Sequence, residues 1–141
     1  MMSAGRSFGV AGLLLASTAL LGGCATLQGP ACAANEQRLV SEMLYFGTEM
    51  PGGVVSAQEW SNFLSREVTP RFPKGLSVWP AAGQWQSNDG SLTREDSFVL
   101  NIVHPDVEAS EKDVQAIVAE YKSRFDQEAV LRIKSHACIS F

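Results

Sequence analysis

Five side chains in this sequence are of types that bind or turn over polar molecules: the phenol of Tyr45, the carboxylate of Glu95, the hydroxyl of Ser97, the amide of Asn101 and the guanidinium of Arg132. Strand alternation assigns all of them to one sheet face, because residues two apart in a strand point the same way. Together they could hold a polar ligand. The plainer alternative is a solvated face with a Glu95–Arg132 pair across strands, worth about 0.2–1 kcal/mol, and it is preferred. Arg71 stands between two prolines in Pro70-Arg71-Phe72-Pro73. Proline fixes the chain path, so the guanidinium would be presented to an anion at low entropic cost. A rigid connector whose Phe72 fills the core is the preferred alternative. Trp85 is a candidate stacking platform or a half-buried aromatic. Gln127 reads as a helix-end capping group. His104 could serve as a base, although a strand-end histidine before proline more often sits at the surface. No Ser-His-Asp order, Gly-rich phosphate loop or paired-His motif is visible, so no catalytic residue is assigned.

The cysteines carry a different chemistry. Cys24 ends an apolar run that follows a short segment bearing Arg6. A basic start, an apolar stretch and small residues at the cut describe a secretory signal peptide over residues 1–23. The uncharged run from Phe8 to Leu21 is 14 residues, short of the roughly 20 needed to span a bilayer as a helix. Leu21-Gly22-Gly23-Cys24 resembles the bacterial lipoprotein lipobox, which implies acylation of Cys24. Each buried CH₂ of an acyl chain adds about 0.8 kcal/mol of membrane affinity. Ala25, rather than Asp, implies by the same resemblance an outer-membrane protein facing the periplasm. Cys32 and Cys138 remain, an even pair in an oxidising compartment, and a disulfide is expected; two free thiols or two packed small residues are the alternatives. Two distant cysteines and two lone histidines, His104 and His136, do not make zinc spacing. No metal or cofactor is expected.

Removing residues 1–23 leaves 118 residues, enough for one domain with a real core. Residues 24–37 read as a lipidated tether, which spans at most about 29 Å from Cys24 to Cys32 when extended, and 38–141 as a single domain. Without Arg6, 10 Lys+Arg face 15 Asp+Glu, a net charge of −5. With no basic run, phosphate contacts are lacking and nucleic acid is excluded as a partner. Electrostatics would not hold the chain on an anionic leaflet either, so the acyl chains must. No internal repeat or low-complexity segment is present.

The elements that position the candidate residues follow from periodicity. Leu39 to Thr48 reads as a first strand, ended by Pro51-Gly52-Gly53. Ser56 and Glu59 form a Ser-x-x-Glu capping box, and Trp60, Phe63 and Leu64 make one apolar stripe. The helix should fail by Thr69, before Pro70. Leu76 to Gln86 is a second strand, confined to a sheet edge by Pro80. Asn88-Asp89-Gly90 signals a hairpin. Leu92 to His104 is the third strand, with Phe98, Leu100 and Ile102 on one face and Glu95, Ser97 and Asn101 on the other. Ser110 and Asp113 are expected to cap a second helix. Val114, Ile117, Val118, Tyr121 and Phe125 form its buried stripe, and Glu120 pairs with Arg124 at i, i+4. A last strand begins at Val130. The order β-α-β-β-α-β predicts an α+β, ferredoxin-like split βαβ fold: a four-stranded antiparallel sheet with two helices on one face. In the usual strand order 4-1-3-2, strand four lies beside strand one and brings Cys32 to Cys138.

From about Tyr45 to Phe141 the chain resembles a family of small exported bacterial proteins known only as a domain of unknown function. The segments are Tyr45-Phe46-Gly47, Glu59-Trp60 with Phe63-Leu64, Pro70-Arg71-Phe72-Pro73 with Gly75-Leu76, Gly83-Gln84-Trp85, Arg94-Glu95, and Tyr121 through Phe125-Asp126-Gln127 to Val130-Leu131-Arg132. The pattern has Asp, Arg and Ser where this chain has Gly52, Gln86 and Ala129. The resemblance implies no particular activity.

Two functional expectations follow. The first is a lipid-anchored envelope lipoprotein whose open sheet face binds a small ligand or a protein partner, including a second copy in a homodimer. The second is a cofactor-independent enzyme, oxygenase- or isomerase-like, using the same face; it rests on fold analogy. A concave pocket holding Tyr45, Glu95 and Arg132 with a perturbed acid would favour the enzyme, and a flat or dimer-covered face would favour binding.

Overall fold

Alternating burial along Val40, Glu42, Leu44 and Phe46 makes the first strand, β1 (Gln37–Gly47), the middle of the fold. The computed structural model describes Met1 and residues 31–141. The signal segment 1–23, the lipidation site Cys24 and the tether up to Pro30 lie outside the described residues, Met1 apart. After β1, Glu49–Met50 (β2) and Gly53–Val54 (β3) form a minimal hairpin around Pro51-Gly52. Gly52 has φ +89°, a left-handed turn position that favours glycine.

The first helix, α1 (Ala57–Phe63), begins at the expected capping box. The Glu59 amide donates to Ser56 Oγ at 3.2 Å, and the Ser56 amide donates to Glu59 Oε2 at 2.8 Å. The helix widens into a π turn over Leu64–Val68, closed by the Thr69 amide donating to the Leu64 carbonyl at 2.8 Å, and ends before Pro70. β4 (Leu76–Gln86) and β5 (Leu92–His104) have the expected bounds. The second helix, α2 (Glu108–Phe125), starts earlier than expected, with Val107 rather than Ser110 at its N-cap. Ser110 is instead buried on the Val114–Ile117–Tyr121 face, where its small side chain fits against the sheet, and Glu108 and Glu111 supply the first-turn negative charge. β6 (Leu131–Ile139) closes the fold.

The four long strands are antiparallel in the order β4-β5-β1-β6, so β4, with Pro80, is an edge strand. This is the expected ferredoxin-like arrangement. Arg38 pairs with Cys138 across β1 and β6, and the Cys32–Cys138 disulfide forms there with Cα atoms 5.4 Å apart. The core is aromatic: Phe46 lies 4.6 Å from Tyr121 and Trp60 stacks on Phe98 at 4.7 Å, ring centre to ring centre. Burying each such side chain contributes about 1.5–3 kcal/mol, and this holds both helices to one face.

Two expectations fail on that face. Register pairs Leu44 with Arg132 and Tyr45 with Leu131, so Arg132 points to the helix side and not to the open face. One residue of parity decides this. Arg132 Nε donates to Glu42, which is fully buried, and its other nitrogens donate to Glu111 at 2.6 and 2.7 Å. His104 is not at the surface. It is 3% exposed, with Nε2 2.9 Å from Glu42 Oε2 and Nδ1 2.8 Å from the Pro105 carbonyl.

Candidate functional site

The open sheet face is hollow at one end. A cleft of about 280 Å³ lies where β1 ends, between β4, β5 and the segment that leaves α2. Strand parity delivers its floor: Tyr45 and Gly47 from β1, Gly83 and Trp85 from β4, Glu95 and Ser97 from β5. The far wall is residues 126–129, which follow α2. Asp126 takes a left-handed conformation (φ +51°) that turns the chain out of the helix. The Gln127 side chain ties this wall down by donating to the Glu49 carbonyl and, at 3.1 Å, to the Phe125 carbonyl. It is the expected capping group, and it also fixes a wall of the cleft.

Glu95 is the most constrained acid of the cleft. Its Oε2 accepts from the Glu49 amide at 3.0 Å. Its carboxylate rests over Gly47, where a Cβ would lie only 2.6 Å from Oε1. On the other side of Gly47, the Tyr121 hydroxyl donates to its carbonyl at 2.9 Å. Burial, then the nearby charges of Glu95 and Glu59, push the Tyr121 hydroxyl above its ordinary pKa, so it stays a donor. Ser97 is nearly buried and donates to the Ala81 carbonyl at 3.3 Å. Trp85 remains 42% exposed at the cleft, so part of its indole is accessible to a ligand.

Of the residues singled out from sequence, Tyr45, Trp85, Glu95 and Ser97 come together here. Asn101 shares the sheet face, opposite Met43 and Ser77, but does not line the cleft. Arg71 lies elsewhere and bonds to carboxylates, 3.2 Å from Glu67 and 3.9 Å from Asp113, so its preferred reading as a connector fits. Phe72 is buried beside it. Arg132 is on the opposite face. Sequence reasoning missed Gly47, Glu49, Gly83 and the 126–129 wall. Two glycines flanking a strand glutamate were the available signal. Leu131 lines the cleft, and beyond it the open face carries Trp79 and Ile133, each more than two-fifths exposed.

Three groups capable of holding a metal, Cys32, Glu36 and Cys138, cluster among the described residues, but the two cysteines are joined as a disulfide. Among the described residues no helix is long and apolar enough to cross a membrane.

A phage SAM lyase in complex with S-methyl-5'-thioadenosine superposes with a TM-score of 0.58 at 15% identity, covering 79% of this chain and 95% of that one. A phage SAM lyase in its apo state gives 0.54 at 17% identity, covering 74% and 90%. CutA from Synechococcus elongatus gives 0.50 at 11% identity, covering 74% and 83%. At these identities the likeness shows a shared fold. No curated protein matches by sequence. Residues 41–141 match the model of a family described as protein of unknown function, DUF3574, and the chain belongs to that family.

Proposed function

We propose that this chain is a lipid-anchored protein of the cell envelope that binds a small organic ligand in the cleft at the end of its open sheet face. One observation carries the binding reading: Tyr45, Trp85, Glu95 and Ser97, from three strands, converge on one concavity of about 280 Å³. Ligand sites are concave, lined by aromatic surface, and carry a few placed polar groups. A volume near 280 Å³ suits a small molecule rather than a peptide. The phage SAM lyase on this fold is described with S-methyl-5'-thioadenosine, a purine thioether. A flat ring of that kind would stack on Trp85.

Binding is favoured over catalysis by the lining. Among the described residues no histidine, cysteine or lysine lines the cleft, and the arginine expected there, Arg132, is held on the other face by Glu42 and Glu111. For the address, the support is the apolar run ending in Leu21-Gly22-Gly23-Cys24. The Cys32–Cys138 disulfide fits an oxidising compartment.

Thermal melting of the full chain with and without S-methyl-5'-thioadenosine or S-adenosylmethionine tests the binding reading. Ligand at about 100 times Kd should stabilise by about 2.7 kcal/mol, and Trp85→Ala should abolish the shift. A shift that survives Trp85→Ala would move the site elsewhere. For the address, Cys24→Ser should release the protein from the membrane fraction; a mutant that stays wholly in the pellet would overturn the lipid anchor.

A further inference from the structure

The charged groups of the cleft are all of one sign. Glu49, Glu95, Asp126 and Glu128 line it, and among the described residues no lysine, arginine or histidine does. None of the four is in a salt bridge with a lysine or arginine among the described residues. Several acids elsewhere in the fold are compensated, Glu42 and Glu111 by Arg132, Glu67 by Arg71 and Arg124, Asp106 by Lys134, and the four cleft acids stand out by sharing one concavity. Arg132 and Lys134 have the helix-covered parity of their strand; Arg94 does not line the cleft but borders it, donating to the lining residue Gln84 at 3.3 Å. A concavity lined by charge of one sign concentrates ions of the other.

The apolar walls point the same way. Tyr45 and Trp85 line the cleft, and the quadrupole of an aromatic ring attracts a cation within about 6 Å, tryptophan's most strongly. Glu95 is placed in advance: Oε2 is engaged by the Glu49 amide and the side chain rests on Gly47, which leaves Oε1 without a hydrogen-bond partner among the described residues. An anion would meet four carboxylates, and a neutral ligand could stack on the rings but would gain nothing from the field.

We propose that the cleft takes a small organic cation, a protonated amine or an onium group on a flat or apolar body, with the charge between Glu95 and the rings of Trp85 and Tyr45. This rests on the ligand-binding reading of the cleft and specifies its ligand class.

Three probes of similar size separate the outcomes: benzyltrimethylammonium, benzyl alcohol and phenylacetate, titrated into the full chain while the Trp85 indole N–H resonance is followed. The cation should move that resonance with an affinity at least about tenfold above the neutral probe, and phenylacetate should leave it unmoved. Raised salt should weaken the cation. Glu95→Gln should weaken it several-fold, and so should Trp85→Ala, followed there through the backbone amides of Gly47 and Gly83 because that variant lacks the indole; the amide pattern of both variants reports that the fold is kept. If the alcohol or phenylacetate moves Trp85 as strongly as the cation, the cleft binds ligands but the cation inference is overturned. If no probe moves Trp85 while S-methyl-5'-thioadenosine does, the cation inference again falls and the binding reading stands. If none of the four does, both fall.

Discussion

The Glu95 carboxylate occupies the space that a side chain on Gly47 would need: a Cβ there would lie 2.6 Å from Oε1 and 2.8 Å from Oε2. The two residues sit on neighbouring strands, and Gly47 is held from the other side by the Tyr121 hydroxyl. The missing side chain is therefore a seat for the acid. Gly47→Ala should leave the fold nearly intact, because the end of a glutamate can swing away. Losing the Glu49 amide bond costs about 1 kcal/mol, and alanine in a strand returns about 0.5–1 kcal/mol. Ligand affinity in the cleft should nevertheless fall about tenfold, since Glu95 is no longer aimed. Urea melts and a ligand titration on the same variant check this. Large destabilisation with affinity unchanged would show that Gly47 serves packing alone.

Arg132 belongs to Glu42, not to Glu95. Arg132→Met should be strongly destabilising, by about 3–5 kcal/mol, because it leaves the fully buried Glu42 without its guanidinium. Pairing Arg132→Met with Glu42→Gln should recover part of that loss and give a coupling above about 1 kcal/mol. The same cycle between Arg132 and Glu95 should be additive within about 0.5 kcal/mol, as expected for groups on opposite sheet faces. Equilibrium unfolding of the two cycles decides between these pairings.

The error over Arg132 shows where periodicity stops informing. Phe98, Leu100 and Ile102 obeyed the rule that apolar residues face the core, and strand β5 was readable from them. In β6 the same rule inverts: Leu131 and Ile133 face the open side, and Arg132 and Lys134 turn inward to Glu42 and Glu111. The clue was in β1. Glu42 falls on the same alternation as Val40, Leu44 and Phe46, and a carboxylate at core parity needs a cation. The capping box, the edge position of Pro80 and the disulfide were legible because each is a local or topological constraint. The cleft was legible only as a set of strand residues. Its wall at 126–129 depends on how the chain leaves α2, and no strand or helix period reports that.

Glu111 sets an acid limb of stability. Hydrogen bonds from Arg132, then Gln115, hold its carboxyl down at about 2, against an ordinary value of 4.5. A carboxyl depressed in the folded state stabilises fully above its unfolded pKa and loses that contribution as pH falls through the folded value. Stability should therefore decline between about pH 4.5 and pH 2. Glu111→Gln should flatten part of that decline and cost about 1–2 kcal/mol at neutral pH, the partly exposed site being screened. Asp106 and Glu67, also held low by His136 and Arg124, should leave a residual slope. Melts from pH 7 to pH 2 compare the two proteins; identical slopes would mean that Glu111 is not differentially protonated.

The Cys32–Cys138 bridge ties the start of the described domain to its last strand across a sequence separation of 106. In the chain-entropy account, closing a loop of that length restricts the unfolded chain by up to about 4–5 kcal/mol. A domain of this size has roughly 5–15 kcal/mol in total, so the bridge is a large fraction of it. Its loss should act mainly through the unfolded state, because β1 and β6 remain paired from Gln37–Ile139 to Tyr45–Leu131 without it. Cys138→Ser in the full chain should lower the urea midpoint strongly while the folded spectrum keeps the dispersion of the Phe46–Trp60–Tyr121 cluster. The unoxidised protein should match the mutant, and reoxidation should restore the midpoint. A midpoint insensitive to reductant, in a protein whose mass shows the bridge broken, would mean that strand pairing alone holds the two ends together.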